Sequence, residues 1–193
     1  MFTFPTIQDK LFFEMTPLIP TCEFSPDSGS FMPYALLRMA EIHGIGVVLD
    51  VTAFENKPDT TGGEDFLKTD DLMAVSINLD PEHCKDNYTF VCNSSDRCFL
   101  FKNGECIAEQ TCERRSGEDE RGDYWAVSIT LSPDKLKELF GISTLDSVKV
   151  VRANMFKAKL DQPHRHFGAV APFARAYDLF CSDNLADFQV LPM

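Results

Sequence analysis

Apolar and polar residues alternate along much of the chain, and the alternation predicts strands. Ile45, Val47, Leu49 and Val51 share one parity, with Asp50 and Thr52 on the other. Met73, Val75, Ile77 and Leu79 alternate with Ala74, Ser76 and Asn78, and Trp125, Val127, Ile129 and Leu131 alternate with Ala126, Ser128 and Thr130. Val148 and Val150 lead into Arg152, Asn154 and Phe156 on one face. Strand side chains have period two, so each run presents one face to a core. Tyr88 to Cys92 and Cys98 to Phe101 are shorter candidates, followed by the Asn-Gly hairpin signature of Lys102-Asn103-Gly104-Glu105. Tyr34 to Ile42 has helix-favouring residues, but His43-Gly44 before a strong strand makes it the first arm of a hairpin.

Helix signals are few. Ser132-Pro133-Asp134 before Lys135-Leu136-Lys137-Glu138-Leu139-Phe140-Gly141 supplies a capping serine, an early proline and a terminal glycine. Glu55 to Asp70 and Arg114 to Asp123 read as polar loops. In the second, Glu118-Asp119-Glu120 between Arg114, Arg115 and Arg121 suggests a self-neutralising mobile segment. Many strands with one short helix near 133–140 predict an all-β fold, an antiparallel two-sheet β-sandwich. The expected organisation is a single domain over 1–193, with residues 1–30 as an N-terminal extension packed on the sandwich.

Composition narrows the function classes. At 193 residues and 44% hydrophobic, the chain can build a core without a metal or disulfide. Its net charge of −12 repels phosphate backbones and anionic lipid, so neither nucleic acid nor a membrane is an expected partner. The opening Met1-Phe2-Thr3-Phe4-Pro5 lacks the basic and apolar segments of an export signal, so a cytoplasmic location is expected. The seven cysteines then read as free thiols. Cys92, Cys98, Cys106 and Cys112 lie close together, but without a C-x-x-C pair they read as small core hydrophobes, and no metal site is assigned. Calcium is the one cofactor considered, at the acidic stretches Asp80-Pro81-Glu82 with Asp86 and Glu64-Asp65 with Asp70-Asp71. Their spacing matches no helix-loop-helix calcium motif.

A set of ordered fragments carries a resemblance. Met32-Pro33-Tyr34-Ala35-Leu36-Leu37, Gly44-Ile45-Gly46-Val47-Val48-Leu49, Thr52-Ala53-Phe54-Glu55, Asp70-Asp71-Leu72-Met73-Ala74-Val75 and Trp125-Ala126-Val127-Ser128-Ile129 come first. Arg152-Ala153-Asn154-Met155-Phe156-Lys157 and His166-Phe167 follow. Together, over residues 30 to 190, they resemble standalone proteins similar to carbohydrate-binding module family 9. The resemblance implies a β-sandwich that binds a small saccharide or related polyol without catalysis, through aromatic faces and charged side chains. Positions where relatives carry ligand groups are changed. Ala74 stands for a glutamate, Val91 for a polar residue, Val170 for a tryptophan and Phe180 for a histidine.

Arg152 and Asn154, on one strand face and matching family residues, are the first candidate ligand-binding residues. The bland reading is a polar pair that anchors strands. His164 and His166, alternate residues near Asp161, have the spacing to share a metal ion with a carboxylate, but read first as surface or turn histidines and next as candidates for a binding rim. Tyr34, Tyr88 and Tyr177 are rim candidates too. No catalytic residue is assigned, since no nucleophile elbow or phosphate loop is present. The alternatives are a structural or interaction domain with a closed pocket, and a hydrolase built on two carboxylates distant in sequence.

Overall fold

The alternating runs are strands. The computed structural model describes residues 2–28, 32–95, 97–162 and 164–192. Met1, Gly29 and Ser30 of the expected extension lie outside these. In chain order the strands are β1 (Phe2–Ile7), β2 (Ile19–Pro20), β3 (Glu23–Phe24), β4 (Tyr34–Ile42), β5 (Gly46–Phe54), β6 (Leu72–Asn78) and β7 (Tyr88–Asn93). They continue as β8 (Cys98–Lys102), β9 (Glu105–Glu109), β10 (Glu113–Asp119), β11 (Gly122–Leu131), β12 (Val150–Lys159), β13 (His166–Ala169) and β14 (Ala186–Pro192). Helices α1 (Phe66–Thr69) and α2 (Pro133–Phe140) complete the regular structure, with short 3-10 turns.

The two-sheet antiparallel arrangement is corrected. One mixed ladder of 11 strands runs β10-β11-β5-β4-β1-β14-β12-β6-β7-β8-β9. Its joint is β1, which lies parallel to both neighbours: Phe2–Thr6 pair with Phe188–Pro192 of β14, and Thr6 and Ile7 with Glu41 and Ile42 of β4. On either side of this joint the pairing is antiparallel. The ladder curls, so the inward residues of its two halves share one core. Leu37, Leu49, Val51 and Val127 meet Val75, Ile77, Phe90 and Met155 there. Each large apolar side chain so buried stabilises the fold by about 1.5–3 kcal/mol relative to exposure.

The helix lies where the sequence predicts it. Ser132 Oγ accepts from Lys135 N, Pro133 opens the first turn, and Gly141 closes it at φ 77°. Its apolar stripe of Leu136, Leu139 and Phe140 covers one end of the core, with Phe140 edge-on to Tyr88 at 4.9 Å between centroids. Gly46 permits a close approach: a Cβ there would lie 2.0 Å from the Leu131 carbonyl oxygen. Residues 114–123, expected as a polar, mobile loop, instead lie in the β10–β11 hairpin. Strand β10 is largely exposed, so no apolar alternation marks it.

The outward faces of the two halves differ. Behind β6, β7 and β12 a second apolar cluster joins Leu72, Ala74, Val91, Phe156 and Ala158 to Phe167, Leu179 and Phe66, so this part of the sheet is buried on both sides. Behind β4 and β5 the 3-10 turn Lys10–Met15 packs Phe13 over the far end, Leu36, Arg38 and Asp50 are also buried, and exposure is confined to Tyr34 and in part to Thr52 and Phe54. The remainder carries Arg38, Asp50, Thr52 and Phe54 beside a groove.

Candidate functional site

The first-choice pair is structural in its contacts. Asn154 is fully buried, and its Nδ2 donates to the carbonyl oxygens of Ala171 (3.1 Å) and Asn184 (2.7 Å). Its Oδ1 accepts from Met155 N and Ala171 N, so every polar position of the amide is used. Asn184, also fully buried, binds backbone groups of Ala174, Arg175 and Asp178. Arg152 Nη2 donates to Ser182 O (3.2 Å) and Leu185 O (3.1 Å). These side chains therefore hold residues 171–185 against the sheet. None of the described cavities is lined by Arg152, Asn154 or His166.

His164 and His166 are separated by the fold. His164 is exposed, whereas His166 opens β13 with 3% exposure and faces a buried charge network. His166 Nδ1 lies 2.9 Å from His164 O; a carbonyl can only accept, so Nδ1 carries the proton. Its Nε2 lies 3.4 Å from Lys157 Nζ. Burial, then the Lys157 charge, lowers the His166 pKa to about 4, and the ring is neutral at pH 7. Lys157 uses its remaining N–H groups on Glu55 Oε1 (3.1 Å) and Asp71 Oδ1 (3.0 Å). Trp125 Nε1 donates to Glu55 Oε2 at 3.2 Å. Burial raises the Glu55 pKa, while at Asp71 the Lys157 charge and the Asp59 N–H outweigh burial and lower it.

Glu55, Asp71 and His166 bring one ligand atom each within 4.8 Å of the others, a set that suits a metal ion. Lys157 Nζ bonds all three and supplies the cation itself. The same ammonium occupies the two carboxylates as a hydrolytic pair. Four of the acidic side chains considered for calcium, Asp70, Asp71, Asp80 and Asp86, are also engaged. Asp70 is fully buried; bonds from Thr61, Asn93 and Thr69 outweigh the upward push of burial and hold its pKa at about 2. Asp80 pairs with His83, and Asp86 with Lys102 and Asn103.

Tyr177, at φ 64°, packs against Phe167 with the Arg165 guanidinium 3.7 Å from its ring centroid, and its hydroxyl is buried without a hydrogen-bond partner. Tyr34 lies elsewhere and is 40% exposed. It begins a row of rings across three strands, with Tyr34 and Tyr124 both opposite Phe54 at centroid distances of 5.4 and 6.1 Å. Beside this row lies a groove of about 340 Å³, lined among others by Glu14, Arg38, Asp50, Thr52, Arg115 and Tyr124. Arg115 Nη2 clasps both carboxylate oxygens of Asp50 at 2.7 and 2.9 Å, Arg38 pairs with Glu14, and the buried Arg38 Nε has no hydrogen-bond partner among the described residues. A second hollow of about 300 Å³ continues past Phe54 and Arg121. The sequence reading missed Arg38, Asp50, Thr52, Arg115 and Tyr124. The available signal was the outward parity of β4 and β5, where charge interrupts apolar strands.

No protein-family model and no curated protein sequence matches the chain. Solved structures do. A "putative carbohydrate-binding protein" from Bacteroides uniformis aligns with a TM-score of 0.68 at 15% identity, covering 98% of each chain. The fold is shared with family 9 carbohydrate-binding modules. One such module from Caldicellulosiruptor kristjanssonii, in complex with cellotriose, aligns at TM-score 0.63 and 7% identity over 99% of this chain and 94% of that one. Its glucose complex gives 0.60 and 8%, over 96% and 88%.

The positions that the resemblance marks as changed are buried or partly buried. Ala74 and Val91 are direct cross-strand partners, both fully buried in the outer apolar cluster, and Phe180 packs on that cluster. Val170 is buried in the main core. The fragments that carry the family 9 resemblance supply Glu55, Asp71, Trp125, Lys157 and His166 to a single buried network.

Proposed function

We propose that this chain is a non-catalytic carbohydrate-binding protein whose recognition surface is the groove beside Tyr34, Phe54 and Tyr124. The observation that carries this reading is the row of rings next to a charged floor, on the outward face that is left open. The C–H face of a sugar is apolar and stacks on an aromatic ring, while hydroxyls hydrogen-bond fixed charged groups. Asp50 can accept from hydroxyls, and Arg115 can donate. The shared fold with modules solved with cellotriose and glucose supports a saccharide as ligand. The apolar side chains at Ala74, Val91 and Phe180 support a specificity different from theirs. Calorimetric titration with mono- and disaccharides and with β-glucan and xylan oligosaccharides tests the reading. Binding that weakens about tenfold or more in Tyr124→Ala and is unchanged in His164→Ala is expected. No binding to any of them would overturn it.

A second reading is favoured by the closed outer face of β6, β7 and β12: an interaction domain that no longer binds sugar. It predicts silence in the same titrations, together with unchanged stability on substitution along the groove.

A further inference from the structure

Three sulfur atoms converge beside the β7–β8 turn. Cys92 and Cys98 are cross-strand partners on β7 and β8, 2% and 0% exposed. Cys112 immediately precedes β10, at the other end of the ladder, and packs against the same core. The three Sγ atoms all lie within 4.8 Å of one another, and no disulfide joins them. Arg114 crosses the same seam: Nη1 donates to Asn93 O (2.7 Å), Nη2 donates to Arg97 O (2.9 Å), and its charge bears on Cys112. We infer that Cys92, Cys98 and Cys112 form a three-thiolate site for one Zn(II)-class cation, which staples the first strand of the ladder to the β7–β8 hairpin.

The geometry and the charge agree. Zn–S bonds of about 2.3 Å put neighbouring thiolates roughly 4 Å apart around one ion, a spacing these side chains reach with small rotations. Thiolates select soft or borderline cations over calcium and magnesium, which demand oxygen. Three thiolates and one divalent ion leave a single negative charge, which the Arg114 guanidinium balances. Cys112 is only half-buried, so a solvent molecule can complete a tetrahedron from that side. The linear spacing conceals the site because its ligands are brought together by strand pairing: Cys92 lies opposite Cys98, and Gln110 N donates to Cys98 O just before Cys112.

The test is an anaerobic titration of the reduced full-length protein with Co(II), followed by Zn(II) displacement. A sulfur-to-cobalt charge-transfer band that saturates at one equivalent and is bleached by one equivalent of zinc is expected. Cys112→Ala, at the half-buried position, should weaken Co(II) binding by more than about 100-fold, whereas Cys106→Ala should leave it unchanged. Zinc should also raise the unfolding temperature of the wild type and not of Cys112→Ala. Absence of the band, or an equal band in Cys112→Ala, overturns the proposal. So does a preference for one equivalent of Cu(I) with no Co(II) or Zn(II) uptake, since it contradicts the charge balance. Should Cys112→Ala unfold, protection of wild-type cysteines from alkylation by zinc provides the same decision.

Discussion

The two outward faces of the curled sheet have opposite fates. Behind β6, β7 and β12, Ala74, Val91, Phe156 and Phe167 meet Leu179 and Phe66, and residues 171–185 lie over them. Behind β4, β5 and β11, rings and charges border an open groove. A covered face contributes stability and a uniquely ordered chain; an open polar face contributes little stability and is free to recognise a ligand. The fragments that carry the family 9 resemblance converge on the buried Lys157, and they also supply Tyr34, Thr52 and Phe54 to the ring row and groove, whose Arg38, Asp50, Arg115 and Tyr124 lie outside them.

The sharpest way to break this contrast is to remove the buried cation. Lys157→Met leaves Glu55 and Asp71 facing each other without compensation and should destabilise the fold by about 3–5 kcal/mol in urea unfolding. A loss under about 1 kcal/mol would show that the network is not a structural centre. Acid provides a second probe. The unfolded imidazole of His166 gains its proton near pH 6.5, and the folded one only near 4. Between those values the unfolded chain binds more protons, so stability falls as pH drops from 6.5 to 4, by on the order of 3 kcal/mol. His166→Gln should flatten that part of the stability–pH curve; an unchanged slope would mean the imidazole is not held neutral.

Next in size is Asn154→Ala, which strands the Ala171 and Asn184 backbone groups and should cost about 2–3 kcal/mol. Hydrogen exchange should accelerate in residues 171–185 first, with saccharide binding retained. Uniform acceleration along the chain would deny Asn154 its anchoring role. The smallest effect on stability belongs to Tyr124→Ala on the open face, about 0.5 kcal/mol by thermal unfolding. A loss of several kcal/mol there would mark the ring row as structure.

Particular residues show how far the sequence could be read. Parity marked the strands containing Leu49, Val75 and Val127 because each has one face in the core. The same parity is silent about partners, so the parallel pairing of Phe2–Ile7 with two strands at once, which turns a sandwich into one ladder, had no local signature. Glu113–Asp119 escaped notice because an edge strand wetted on most of its surface has no apolar period. At the candidate sites, the anchoring reading of Arg152 and Asn154 agrees with their bonds to residues 171–185. Tyr34 belongs to the ring row, and His166 to a buried network. Arg115 and Asp50 meet across 65 positions of sequence, and Cys112 meets Cys92 only once β7, β8 and the segment after β9 pair.

Backbone amide chemical shifts, mapped while a β-glucan or xylan oligosaccharide is added, test the central claim most directly. The account predicts that Thr52, Phe54, Arg115 and Tyr124 move together and saturate, while Ala74, Val91, Arg152 and Asn154 stay still. Movement centred on the second group, with the first unmoved, would contradict it.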